Sequence, residues 1–241
     1  MIPLRDRNPT RRTPVITIGL IGACFVVFAL ELSVTAAGGD AALERFFEQW
    51  GAVPAQITRA LENGDYFSRA ILGMFTSMFL HGGWLHILGN MLFLWIFGNN
   101  VEDRMGRIPF LVFYLVGGIT AALTQVVIDP SSRVPLVGAS GAIAAALGAY
   151  IVLFPGARIL SLVFLGFFYQ LLEVPALVIL GFWFVLQLIS GAAALGPETA
   201  QGGVAFFAHI GGFILGVVVG LLLRVVGAGT VRGRPWSVPM G

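Results

Sequence analysis

Residues 138–154 read GASGAIAAALGAYIVLF, and the reading of this stretch decides how the rest of the chain is understood. After Ser140 the only polar side-chain group up to Phe154 is the Tyr150 hydroxyl, so the segment suits a helix inside lipid or inside a bundle. Ser140, Ala144 and Gly148 recur every fourth residue and share one helical face, where small side chains let a neighbouring backbone come close. A second stripe of the same spacing, Gly212, Gly216 and Gly220, lies in another apolar stretch. The two stripes are natural partners.

Working outward, five more apolar stretches occupy 15–34, 84–99, 109–128, 174–193 and 203–226. Composition agrees: 57% of residues are hydrophobic and 11% charged, with 32 glycines, which suits lipid-spanning helices that pack closely. The expected fold class is all-α, a polytopic membrane protein built as a bundle of six transmembrane helices. Its organisation reads as a cytoplasmic N-terminal segment 1–13, a membrane domain 14–226 and a cytoplasmic tail 227–241. The first apolar core exceeds a usual signal-peptide h-region, so it reads as a retained helix. Residues 36–77 mix Phe46, Phe47, Trp50 and Tyr66 with Glu44, Arg45, Glu48 and Arg59, which suits an amphipathic segment in the membrane interface. The run 159–172 lies between Pro155 and Pro175 and contains Gly166; it reads as a buried or interfacial connector, not a seventh span.

Every basic side chain is arginine. With the N-terminus in the cytoplasm, six spans place Arg5, Arg7, Arg11, Arg12, Arg104, Arg107, Arg158, Arg224, Arg232 and Arg234 inside, against Arg45, Arg59, Arg69 and Arg133 outside. That bias follows the positive-inside rule and puts both termini in the cytoplasm. The scattered arginines form no basic face for nucleic acid. Cys24 is the sole cysteine, which excludes an intrachain disulfide. His81 and His86 are five apart and no His-Glu-x-x-His pattern occurs, so no metal and no cofactor is expected.

In this topology the second, fourth and sixth spans all start at the outer face. His86 and Asn90, four apart on one helical face, begin the second; Ser140 begins the fourth; His209 lies two turns into the sixth. Polar groups in lipid usually face a bundle interior and have work to do there. A serine hydroxyl is a poor nucleophile without a base, and the His209 imidazole can take its proton and return it to a leaving amine. Glu31 reads as interfacial or packing and Glu198 lies in the 195–203 loop, so the expectation is a Ser–His dyad with His209 oriented by packing. The Ser140 N–H, the Asn90 amide and the His86 ring are candidate donors to an oxyanion.

Taken together, His81-x4-His86-x3-Asn90 leading to Glu102-x3-Gly106, then Gly138-Ala139-Ser140-Gly141, then Ala208-His209-x2-Gly212-x3-Gly216 resemble the rhomboid intramembrane serine proteases over about residues 76–226. The resemblance implies Ser140 as nucleophile, His209 as general base, and His86, Asn90 and the Ser140 N–H as the oxyanion site. His81 would hold the loop before the second span, with Gly138, Gly141, Glu102, Gly212 and Gly216 as supporting motif positions. It implies single-span transmembrane protein substrates, cut near the outer membrane face beside small residues, with lipid as the surrounding partner. The fifth span and the 195–203 loop would form the gate. Two positions depart from better-known bacterial members: Leu72-Gly73 replaces a Trp-Arg pair, and Ala144 replaces an aromatic residue one turn after the serine. The competing readings are a non-proteolytic rhomboid-like binder or chaperone, disfavoured by the presence of both Ser140 and His209, and a small transporter, disfavoured by the lack of an inverted repeat. A short, proline-broken N-terminus points to a prokaryotic plasma membrane.

Overall fold

The computed structural model describes residues 1–165, 168–194 and 205–230. Three short strands and nine α-helices are found among them. Strand β1 (Ile2–Asp6) precedes helix α1 (Val15–Trp50), and two short helices follow, α2 (Pro54–Glu62) and α3 (Arg69–Thr76). A 3-10 turn and a tight loop lead into α4 (Trp84–Phe93), which runs through a π-helical turn (Leu94–Gly98) into α5 (Asn99–Met105). Then come α6 (Arg107–Ile128), α7 (Ser140–Leu153), strands β2 (Arg158–Leu165) and β3 (Phe168–Pro175), α8 (Ala176–Ala194) and α9 (Phe206–Thr230).

The molecule is mostly helical, an integral membrane bundle. Among the described residues α1, α6, α8 and α9 are each long and apolar enough to cross a bilayer, and Arg69–Phe79 with Trp84–Met105, bent by 78°, are together long and apolar enough for a fifth. The remaining helix of the expected bundle, its fourth span, is α7. At 14 residues it reaches only about 21 Å, short of the ~30 Å hydrocarbon thickness. It needs no lipid-facing surface, because every residue from Gly141 to Tyr150 is buried. An all-round apolar helix belongs at the centre of a bundle, and α7 sits there.

The two small-residue stripes do face each other. A side chain at Gly212 would strike the Gly141 carbonyl, one at Gly216 the Ala145 carbonyl, and one at Gly148 the Phe213 carbonyl. Gly141 is held as tightly on its other side, where a side chain would meet the Ala121 methyl of α6. Close backbone approach therefore sets the α7–α9 distance, and with it the separation of Ser140 from His209.

Several boundaries differ from the sequence reading. Helix α1 continues beyond residue 34 to Trp50, with its kink at Gly39 (φ 66°, ψ −168°), a conformation open to glycine. After the kink, Ala42, Leu43, Phe46, Phe47 and Trp50 are half-buried while Glu44, Arg45, Glu48 and Gln49 are exposed. The second span continues past 99 to Met105. Helix α9 starts at Phe206 and runs to Thr230, so His209 lies one turn in, not two, and residues 227–230 of the expected tail are helical. The 195–203 loop and the tail from 231 lie outside the described residues.

The largest departure is the connector 159–172. It forms the antiparallel hairpin β2–β3, and β1 from the N-terminal segment pairs with β2 to give the sheet order β1-β2-β3. Two eight-residue runs rich in branched and aromatic residues, bounded by Pro155 and Pro175, are too short to span as helices and suit strands. Arg7 and Glu173 join β1's end to β3 through a 2.7 Å ion pair.

Candidate active site

The site is assembled at the starts of α4, α7 and α9. Ser140 is the first residue of α7, and its hydroxyl lies 2.7 Å from Nε2 of His209. His209 is 9% exposed. A hydroxyl donating to an imidazole nitrogen at this distance is a pair able to move a proton.

Opposite the serine, His86 and Asn90 converge on Gly138. This glycine has φ +125°, and a Cβ there would lie 2.7 Å from His86 Nε2 and 3.5 Å from Asn90 Nδ2. Both the backbone conformation and the space demand glycine. The Gly82 N–H donates to Nδ1 of His86 at 3.4 Å, which places the ring proton on Nε2 and turns an N–H toward Gly138. Asn90 is buried, and its Nδ2 has no partner among the described residues. The loop is pinned by the Gly138 N–H, which donates to the Ser77 carbonyl at 2.9 Å, and by the bridge between Ala52 and Leu136.

These groups line a cavity of about 540 Å³ whose other walls are mostly apolar, including Met78, Leu85, Phe93 and Trp183. Two N–H donors from residues lining the cavity, beside a hydroxyl–imidazole pair, can stabilise a developing oxyanion. No group of His, Cys, Asp or Glu able to hold a metal is found among the described residues.

His81 is 1% exposed and sits behind the site. Its N–H donates to Oε1 of Glu31 at 2.9 Å, its Nδ1 lies 3.2 Å from the Phe79 carbonyl, and its ring meets that of His86 edge-on at 5.3 Å. Glu31, read from sequence as interfacial or packing, is a buried tether from α1 to the loop before α4. Glu102 is not brought to the site. It lies sixteen residues after His86, roughly 24 Å along the helix, and caps the start of α1. Its carboxylate accepts from Ile16 N–H (3.0 Å), Thr17 N–H (2.8 Å) and the Thr17 hydroxyl (2.8 Å).

One site residue escaped the sequence reading. Oε1 of Gln187, on α8, lies 2.8 Å from Nδ1 of His209, and Trp183 one turn earlier places its ring 5.8 Å from the imidazole. Packing alone therefore does not orient His209. The signal was available: Gln187 is a polar residue within an apolar span, as His86 and Asn90 are.

Residues 68–225, well over half of the chain, match the Rhomboid domain. Similar proteins include Rhomboid protein 1, mitochondrial, of Saccharomyces cerevisiae, 31% identical over 160 residues (65% of this chain, 42% of the relative). Rhomboid protease GluP of Bacillus subtilis is 32% identical over 148 residues (61% and 26%), and Rhomboid-like protease 5 of Toxoplasma gondii 30% over 185 residues (75% and 19%). The chain spans less than half the length of each of these relatives. The bundle, the motif positions and the domain match agree, and the chain belongs to the rhomboid family.

Proposed function

We propose that the chain is an intramembrane serine endopeptidase acting on single-span transmembrane proteins near the outer face of a prokaryotic plasma membrane. The observation that carries this reading is the 2.7 Å contact between the Ser140 hydroxyl and His209 Nε2 inside a cavity that also receives His86 and Asn90. His209 Nε2 takes the hydroxyl proton as Ser140 Oγ adds to the scissile carbonyl carbon. The resulting oxyanion receives hydrogen bonds from His86 Nε2–H, Asn90 Nδ2 and the Ser140 N–H. Collapse expels the amine with the proton held on His209, leaving an acyl-serine. Water, deprotonated by the same nitrogen, then releases the acid and restores the serine.

A substrate must reach a hydroxyl at the start of the buried central helix, which suits a segment unwound from a transmembrane helix. With both termini in the cytoplasm, the starts of α4, α7 and α9 face outward. The binder reading leaves the Ser140–His209 contact without a use. Purified protein is to be incubated with a detergent-solubilised single-span substrate, beside Ser140→Ala and His209→Ala. Cleavage lost in both variants supports the mechanism; equal cleavage by Ser140→Ala would falsify it. A fluorophosphonate should label Ser140 and no other serine.

A further inference from the structure

We infer that Gln187 is a positioning residue that fixes the protonation pattern of His209. This rests on the proteolytic reading of the site and deepens it. Helix α8 presents two side chains to the imidazole, since Trp183 and Gln187 are four apart and share a face. The Trp183 ring lies tilted by 38° against it, and Gln187 Oε1 is 2.8 Å from Nδ1. The seam is held below by Phe184, stacked on Phe213 of α9 at 4.4 Å and 20°, one turn after His209. The ring is thus clamped in plane and in rotation.

A neutral imidazole carries one proton, and whichever nitrogen has it cannot serve as base. The amide oxygen of Gln187 is an acceptor, so Nδ1 carries the proton and donates to it. That leaves Nε2 bare to accept from Ser140. The chain of bonds runs Ser140 O–H to Nε2, then Nδ1–H to Gln187 Oε1, each group used in one direction. A carboxylate in the same half-buried, lipid-surrounded place would cost more to desolvate than an amide. Because Gln187 belongs to α8 and His209 to α9, the bond also makes the base's orientation depend on α8 being docked.

The test uses the full-length protein in detergent with 15N-labelled histidine. Three histidines give few signals, assigned by single His→Gln variants. At neutral pH, His209 in the wild type should show a protonated Nδ1 and an unprotonated Nε2. Gln187→Leu, of similar volume but without the acceptor, should lose that pattern and lower kcat roughly 10- to 100-fold with KM unchanged, the range found when the outer hydrogen-bond partner of a positioned histidine is removed. Gln187→Glu, which keeps an acceptor, should recover most of the turnover. A proton found on Nε2 in the wild type overturns the inference, and so does a rise in KM at constant kcat in Gln187→Leu. The wild-type spectrum needs no variant to fold and no substrate to be cut. A protein that cleaves nothing yet shows the Nδ1–H form would sink the proteolytic reading and leave the positioning of His209 standing.

Discussion

The two ends of this bundle treat buried polar groups in opposite ways. At the end holding Ser140, donors belong to residues that line a cavity: Asn90 Nδ2 is buried and unpartnered among the described residues, and His86 turns an N–H toward Gly138. At the other end, the carboxylates are saturated. Asp6 accepts from the Tyr150 hydroxyl (2.5 Å), Asn100 Nδ2 (2.7 Å) and Asn8 N–H (2.7 Å). Glu102 accepts three bonds from Ile16 and Thr17, and Asp103 accepts from the N–H groups of Arg11 and Arg12. One end leaves hydrogen-bonding capacity unused, and the other uses it to tie the N-terminal segment to α5, α7 and the hairpin. Unsatisfied buried donors cost stability, so they persist where something else requires them.

The comparison breaks most sharply at the serine. Ser140→Ala should reduce cleavage by more than about 1,000-fold while shifting stability by no more than about 1 kcal/mol, since one neutral hydrogen bond is lost. Turnover measured beside a thermal melt checks both halves. A large loss of melting temperature would make Ser140 part of the scaffold.

The next effect belongs to the opposite end and should have the reverse profile. Glu102→Ala strands three donors in a 3% exposed site and should cost about 3 kcal/mol of stability. The fraction that remains folded should cut substrate at close to the wild-type rate per active site, titrated with the fluorophosphonate. A fall in that rate would mean the two ends are coupled through the helix 84–105.

This contrast also explains what could be read in the chain beforehand. The apolar stretches set the helices, and the every-fourth-residue stripes at Ser140 and Gly212 set the α7–α9 contact, because hydrophobic length and side-chain size are local properties. Ser140, His209, His86 and Asn90 stood out as polar residues at helix starts. Gln187 did not, because it sits deep in α8, and its meeting with His209 depends on how α8 leans on α9. Glu31 and Glu102 were visible as carboxylates, but their partners are backbone N–H groups and a threonine hydroxyl, which carry no distinctive sequence pattern. The strands of 158–175 were hidden for a related reason: a short apolar run fits a buried connector as well as a strand until its partner, here residues 2–6, is known.

Asn90→Ala should sharpen the comparison at the site end. Losing one oxyanion donor costs about 100-fold in kcat, near 2.7 kcal/mol of transition-state stabilisation. Stability should hold or rise, because the substitution removes a buried amide nitrogen that has no partner among the described residues. A destabilised variant with normal kcat would move Asn90 to the scaffold.

The smallest effect concerns Asp6, in the N-terminal strand. Burial lifts its carboxyl above the ordinary value of 3.8, although bonds from Tyr150, Asn8 and Arg7 oppose the rise. The folded state therefore holds its proton to higher pH than the unfolded chain does. The corresponding stabilisation is complete below 3.8 and declines as pH rises through the folded-state value. Asp6→Asn keeps an acceptor for Tyr150 and Asn100 but cannot ionise. Across that window its melting temperature should fall less with rising pH than that of the wild type, while above it cleavage by the two proteins should be alike. If the wild type instead gains stability relative to Asp6→Asn as pH rises, the donors outweigh burial, and the N-terminal clamp is held by a charge.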